Sequence, residues 1–514
     1  MTTLGLIEFA CFFAGIFVSF KVAQVWTSRR ATPPYPPGPK GWPIVGNLFD
    51  FPTASPWRAY CNWSKVYQSD ILFGSALGSR ILILNNRGDA DALLEKKSQI
   101  YSGRPTIPIV DLMGWNFNIG LMDYGETWRY HRKICQQTFN RKSATFYQPI
   151  QTRKVHEFLG DLLSNPENFE GHCKMLSISI PMATMYGYDV ESFEDPFIDV
   201  AEKGQRLGNS LLVPGATLLN IFPILCRIPP VIGTQKFAAE IREMTEKMQR
   251  LPMEYCKKAL AEGTAKPSFV TSFLERDASG DATEEEAIAT EKIAATVYSA
   301  GADTAIAATK SFFYAMVTNP DIQKKAQEEI DRVVGLDRLP DYNDRESMPY
   351  TEAMYRELLR WRPPGPIGVP HFTSTDDVYK GYFIPKGTAV FSNIWAMTHD
   401  ETIYPEPMRF KPERFLTTGG QLNDDDKVLA YGFGRRVCVG QYVASATLWL
   451  FIASLAATFN ITTAKDEWGK DIEIDGGYTD GMISQKKPFK CSITPRSLRA
   501  KQLIEDAVAK ARTK

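Results

Sequence analysis

The chain has 514 residues, 44% of them apolar, and 59 basic side chains balance 59 acidic ones. That length and apolar share suffice for a large core, and zero net charge excludes the basic excess of a nucleic-acid binder. Eight cysteines without paired spacing and five scattered histidines exclude a disulfide framework and a zinc site of the usual ligand spacing.

The first element is apolar. Leu4 to Val25 contains few polar residues, and a helix of that length spans about 33 Å, enough to cross a bilayer. Lys21, Arg29 and Arg30 lie at its far end, which predicts that the bulk of the protein faces the cytosol. No basic residues precede the run, so a cleaved signal peptide is the poorer reading. Residues 1–28 are therefore expected to be a single membrane anchor. Residues 29–50 include Pro33, Pro34, Pro36, Pro37, Pro39 and Pro43, which forbid a helix and favour a stiff hinge.

Residues 51–514 read as a large, mainly α-helical body with small sheets. Asp70 to Phe73 and Arg80 to Asn85 predict a pair of short strands. In Trp128-Arg129-Tyr130-His131-Arg132, Trp128 and Arg132 are four apart and share a helix face. An indole N–H beside a guanidinium makes a carboxylate clamp, although a surface arginine packed on a ring gives the same pattern. Leu211 to Gly233 is apolar and broken by prolines, either a core segment or a cap that dips into lipid.

A long helix is expected over Ala294 to Val317, carrying Ala300-Gly301-Ala302-Asp303-Thr304. Ile293, Val297, Ala300, Gly301 and Thr304 share one stripe. Gly301 costs about 1 kcal/mol against alanine in mid-helix, a cost that makes sense where something flat comes close. Asp303 and Thr304 set a carboxylic acid beside a hydroxyl. Glu357 and Arg360 form an intrahelical pair, and Pro412-Glu413-Arg414-Phe415 follows later. Asp376 to Pro385 predicts a small hairpin.

The densest signal is Tyr431-Gly432-Phe433-Gly434-Arg435-Arg436-Val437-Cys438-Val439-Gly440, followed by an apolar helix over Tyr442 to Phe459. A cysteine in such a turn, just before a helix N-terminus, is favoured as thiolate. Gly434 and Gly440 allow tight or positive-φ backbone. Arg436 is placed to meet an anion. A planar iron macrocycle with two carboxylates has the matching shape. The tail Arg496 to Lys514 is polar, basic and helical in pattern, and is expected to be exposed.

These motifs, in this order, resemble the cytochrome P450 family. Gly434, Arg436, Cys438 and Gly440 match its cysteine loop, with Tyr431 where phenylalanine is usual and Val439 where proline is common. The resemblance implies a cytochrome P450 fold, haem b with its iron held by Cys438, and a propionate held by Trp128 and Arg132. It makes His371 a candidate propionate partner, a satisfied core histidine being the alternative. Gly301 would lie near the haem, and Asp303 with Thr304 would be the catalytic acid–alcohol pair. Ala305 follows, where a second hydroxyl is common. Glu357, Arg360 and Arg414 would form a structural triad.

The implied reaction puts one oxygen atom into a lipophilic substrate and releases the other as water. Electrons would come from NADPH through a membrane-bound cytochrome P450 reductase, with cytochrome b5 as a further donor. The style of the chain looks most like endoplasmic-reticulum-anchored fungal members of secondary metabolism, which makes a terpenoid, indole or polycyclic aromatic the expected substrate. The implied partners are that substrate and membrane lipid, with no nucleic acid. A haem-thiolate isomerase or dehydratase that needs no dioxygen, and a non-catalytic haem sensor, are the rival readings. The intact Asp303-Thr304 pair argues against the first.

Overall fold

A computed structural model describes residues 33–192, 194–212, 218–221, 226 and 233–512. The apolar segment Leu4–Val25 and most of the proline-broken run between 211 and 233 lie outside the described residues. The chain divides into two compact units. The smaller takes residues up to Pro105, Ile367–Met397 and Phe433–Arg436, and the larger takes Thr106–Pro366, Thr398–Gly432 and Val437 onward.

The smaller unit is built on a four-stranded sheet. Helix α1 (Pro56–Tyr67) precedes β1 (Ile71–Ala76) and β2 (Ser79–Leu84), which pair antiparallel with Ile71 opposite Leu84. The two residues between them, Leu77 and Gly78, have φ of 48° and 90°. Two positive φ values in a two-residue loop match the twist of the flanking strands. Strands β3 (His371–Phe372), β4 (Asp377–Tyr379), β5 (Tyr382–Ile384) and β6 (Thr388–Ser392) follow. The sheet order is β1-β2-β6-β3, with β6 parallel to β2 and antiparallel to β3. The expected hairpin is β4–β5, turning through Lys380 and Gly381, again both at positive φ. Tyr60, Leu72, Ile83 and Ile367 form the core beneath this sheet.

The larger unit is mainly helical. Its principal helices are α2 (Glu126–Phe139), α3 (Gln148–Ser164), α4 (Phe169–Tyr186), α5 (Pro196–Leu212) and α6 (Gly233–Ala261). These are followed by α7 (Glu284–Thr318), α8 (Pro320–Val333), α9 (Pro349–Trp361), α10 (Gln441–Thr458) and α11 (Leu498–Arg512). A short hairpin, β7 (Phe459–Thr463) with β8 (Cys491–Pro495), lies between the last two helices. Helix α7 begins where Thr283 accepts the Glu286 N–H, and Glu284, Glu285 and Glu286 in its first turn complement the dipole. It ends before Pro320, which opens α8 at a position where no N–H is needed.

Helix α10 is largely apolar because it is buried on all sides from Ala446 to Ala456. Trp449, Leu450, Phe451 and Ile452 are inaccessible, and Phe451 packs on Phe158 of α3 and on Phe312 and Phe313 of α7. It is apolar and long enough to cross a membrane, but most of it lies inside the protein. The start of α9 is satisfied from α8: the buried Glu329 carboxylate accepts the N–H groups of Tyr350 and Thr351 and the Thr351 hydroxyl. The exposed tail expected after Arg496 is corrected. Helix α11 docks on α3, burying Ala500, Ile504 and Ala507. The approach is close enough that a Cβ at Gly160 would lie 2.6 Å from Val508 Cγ2. Spaced alanines and one isoleucine made a narrow apolar stripe that the overall polarity of the tail concealed.

Candidate active site

The cysteine loop is held in its larger-unit part by the backbone of its own neighbours. The Cys438 N–H donates to the Tyr431 carbonyl at 2.8 Å, and Gly440 caps the start of α10. Cys438 has open space at its side chain. Protein nevertheless surrounds it closely enough that burial, the largest influence, pushes its thiol upward, while the Gly440 N–H and Arg132 act the other way.

Arg132 and Trp128 meet on one face of α2, as their spacing requires. The guanidinium lies 6.0 Å from the Trp128 ring centre, and Arg132 Nη2 donates to the Val437 carbonyl at 2.6 Å. Trp128 is buried, and Arg132 Nε is a buried donor with no hydrogen-bond partner in the protein. Burial lowers the Arg132 pKa, so an anion brought to this guanidinium would be strongly favoured.

The smaller unit holds the other basic groups. Arg436 is buried and donates through Nε to the Ser102 carbonyl at 2.7 Å. His371, on β3, shares its Nδ1 with the Tyr101 carbonyl at 2.7 Å. Its pKa falls to about 3, through burial first and then through Arg104 and Arg436. It is thus a neutral, hydrogen-bonded histidine as the protein stands. Arg104, which the sequence alone did not mark, is buried and donates to the Val369 and Pro370 carbonyls at 3.2 and 2.7 Å. Gly434 has φ of 57°, and a Cβ there would sit 2.1 Å from the Leu94 carbonyl oxygen. Its close approach is to protein backbone. Gly440 keeps a negative φ of −87° with nothing within 4 Å of a built Cβ, so it needs no left-handed backbone.

On α7 the acid and the alcohol point to different partners. The Asp303 carboxylate accepts from Gln205 Nε2 of α5 at 2.9 Å, and the same nitrogen donates to the Ser299 carbonyl at 2.7 Å. Burial first, and then Glu202, raise the Asp303 pKa, so it holds a proton more readily than an ordinary aspartate. Thr304 Oγ1 donates back to the Ala300 carbonyl at 3.0 Å. The vacant side of Gly301 faces Pro181 of α4, whose Cγ would be 3.4 Å from a Cβ. A methyl group there would make an ordinary contact, so the packing of α4 on α7 does not by itself require glycine. Gln205 could not be found from sequence, because nothing in a polar helix face announces a partner 98 residues away.

Glu357, Arg360 and Arg414 come together. Glu357 is fully buried and accepts from Arg360 Nε and Nη2 at 2.5 and 2.8 Å, from Arg414 Nε at 3.3 Å and from the Lys411 N–H at 2.7 Å. Arg360 also ties down the Thr398 and Pro407 carbonyls.

Within the larger unit, an accessible but enclosed sulfur and a buried guanidinium nitrogen without a hydrogen-bond partner in the protein fit an anionic group carrying a metal that takes thiolate. Among the described residues no cluster of three histidine, cysteine or acidic side chains could hold a bare metal ion instead.

Comparison with known proteins identifies that group. The sequence model of the cytochrome P450 family matches residues 36–493. The chain is 41% identical to cytochrome P450 monooxygenase ple1 of Rhodocybe pseudopiperita, over 91% of each chain. It is 40% identical to cytochrome P450 monooxygenase claR of Ampulloclitocybe clavipes, over 91% of this chain and 88% of that one. Against cytochrome P450 monooxygenase ppsD of Aspergillus oryzae the identity is 36%, over 93% and 92%. Motif order, mainly helical fold and full-length similarity agree: the chain belongs to the cytochrome P450 family and is a monooxygenase whose haem iron is ligated by a cysteine thiolate.

Proposed function

We propose that this enzyme is anchored in the endoplasmic-reticulum membrane by residues 1–28, with residues 29–50 as hinge and the catalytic residues 51–514 facing the cytosol. It oxidises a lipophilic small molecule of terpenoid, indole or polycyclic aromatic type in fungal secondary metabolism. Its electrons come from NADPH–cytochrome P450 reductase, with cytochrome b5 as a further donor. The observation that carries the catalytic reading is Cys438, accessible yet enclosed, beside a buried Arg132 nitrogen that awaits an anion. The membrane reading is supported by the apolar run Leu4 to Val25 and by Lys21, Arg29 and Arg30 at its far end.

By the resemblance, Cys438 would hold the haem iron and Trp128, Arg132 and Arg436 its carboxylates, with Arg104 added to that set; His371, neutral with its Nδ1 hydrogen on the Tyr101 carbonyl, would join them only on taking up a proton. When bound, haem supplies dioxygen activation, which thiolate donation favours. The chain's part is placement and proton supply. Asp303, kept protonatable by burial, is held by Gln205 of α5 midway along α7. It exchanges protons with solvent and passes them inward. The Thr304 hydroxyl, resting on the Ala300 carbonyl, can rotate to hold a water or the reacting oxygen. Glu357, Arg360 and Arg414 keep the layer around the 398–411 segment rigid.

Full-length protein with reductase, NADPH and isotope-labelled dioxygen should put one labelled atom into the product. Reduced protein with carbon monoxide should give the red-shifted Soret band of thiolate ligation, and Cys438→Ser should abolish it. A variant that kept that band would reject Cys438 as ligand. Deleting residues 1–28 should leave haem in place and abolish flotation with membranes; loss of haem would show that the segment belongs to the core.

A further inference from the structure

The contact between Gln205 and Asp303 fixes more than the place of the acid. The Gln205 side chain reaches from α5 to one turn of α7, where Nε2 donates to Asp303 Oδ2 at 2.9 Å and to the Ser299 carbonyl at 2.7 Å. A carbonyl can only accept, so the Gln205 atom facing Ser299 must be the amide nitrogen. Both of its hydrogens are then used, one on each partner. The turn of α5 that presents Gln205 is also tied to α4: Glu202, three residues earlier, pairs with Lys174 at 2.7 Å.

A nitrogen with only hydrogens to offer dictates the state of its partner. Asp303 Oδ2 must accept, in the carboxylate and in the neutral acid alike. In the neutral acid Oδ2 is therefore the carbonyl oxygen, and the proton sits on Oδ1. Losing or regaining that proton leaves the Gln205 bond unbroken. The charged and titratable groups that face this carboxyl are Glu202 of α5, Lys174 of α4 and Tyr298 of α7. Burial first and Glu202 second push its pKa up, while Gln205 and Lys174 pull it down. Gln205 thus limits how firmly Asp303 keeps a proton that it has to give away.

We propose that Gln205 is a positioning residue for the proton supply: its amide nitrogen holds Asp303 Oδ2 as an acceptor and leaves Oδ1 as the oxygen that gives up and regains the proton. Each proton passed breaks the Oδ1–H bond and leaves a carboxylate, and a proton from solvent remakes that bond. The inference rests on the reading of Asp303 as the acid.

Gln205→Met keeps the length of the side chain and removes both donors, and Gln205→Asn keeps the amide but shortens its reach. The test records infrared difference spectra of the full-length haem protein across an acid titration, with product per NADPH measured alongside. The Asp303 carboxylic acid band is the one that Asp303→Asn deletes. A carbonyl whose oxygen accepts a hydrogen bond stretches at lower frequency, so both Gln205 variants should move that band upward. An N–H bonds a carboxylate more strongly than a neutral carbonyl, so its loss should raise the protonation midpoint by about one pH unit. Both variants should keep the carbon monoxide band of thiolate ligation while product per NADPH falls. In an Asp303→Asn background Gln205→Met should lower that ratio no further, because Gln205 acts through the carboxyl. An unmoved band and midpoint, or a further loss in that background, would overturn the role of Gln205. Unchanged product per NADPH in Asp303→Asn would instead overturn Asp303 as the acid.

Discussion

Glu357→Gln is the substitution whose outcome the structure constrains most tightly. The carboxylate is inaccessible and receives donors from Arg360 twice, from Arg414 and from the Lys411 backbone. A carboxylate offers about four acceptor sites, which matches four donors; a carboxamide offers two and brings two hydrogens of its own. Glutamine therefore leaves at least two buried donors facing other donors, together with two uncompensated guanidinium charges. Breaking one side of a buried ion pair costs about 3–5 kcal/mol. With a urea dependence of about 3 kcal/mol per molar, that loss moves the unfolding midpoint down by about 1–2 M. It is also a large share of the roughly 5–15 kcal/mol available to a folded domain. The assay is urea unfolding followed by helix signal and haem absorbance, with Lys325→Met as control. Lys325 pairs with Glu413 at 2.6 Å but is 53% exposed, so its loss should cost about 1 kcal/mol or less. A Glu357→Gln midpoint equal to that of the native protein would refute the claim that this carboxylate organises its layer.

Thr304→Ala should leave haem content and substrate affinity nearly unchanged while product per NADPH falls and hydrogen peroxide rises. Positioned proton transfer contributes about a hundredfold or more, and Ala305 offers no neighbouring hydroxyl to replace it; unchanged coupling would show that protons arrive by another route. Gly434→Ala should cost well above the roughly 1–2 kcal/mol of left-handed backbone alone, because its Cβ meets the Leu94 carbonyl at 2.1 Å. Gly420→Ala, with φ of 77° and open space around it, isolates the backbone part in the same unfolding assay, and equal losses would refute the clash. Asp189 accepts from Arg153 and Lys154 at 2.7 and 2.8 Å and from Lys266 at 2.6 Å. Burial alone would raise its pKa, but these bonds outweigh it and hold the carboxyl far below its ordinary 3.8. Its contribution is therefore fully present above the unfolded pKa and is lost as pH falls from there through the lower folded pKa. Asp189→Asn should lower stability at neutral pH and flatten the acid limb below about pH 5, and parallel acid limbs would count against it.

The sequence by itself determined whatever depends on near neighbours along the chain. Trp128 and Arg132 share a face because they are four apart on α2, and Arg360 reaches Glu357 because they are three apart on α9. The hairpins turn at Gly78 and Gly381, which accept positive φ, while Leu77 and Lys380 are held in the same region by the pairing of the strands. Only the tertiary structure decided which distant side chains close these motifs. Gln205 takes the Asp303 carboxylate, Arg104 stands beside His371, and Tyr355 meets the extra hydroxyl of Tyr431. It also turned a polar tail into a docked helix. A helix's periodicity states which residues share a face. The partner of that face is set by how all the helices fill a common core, and a buried carboxylate or phenol takes the donor that this packing brings within reach.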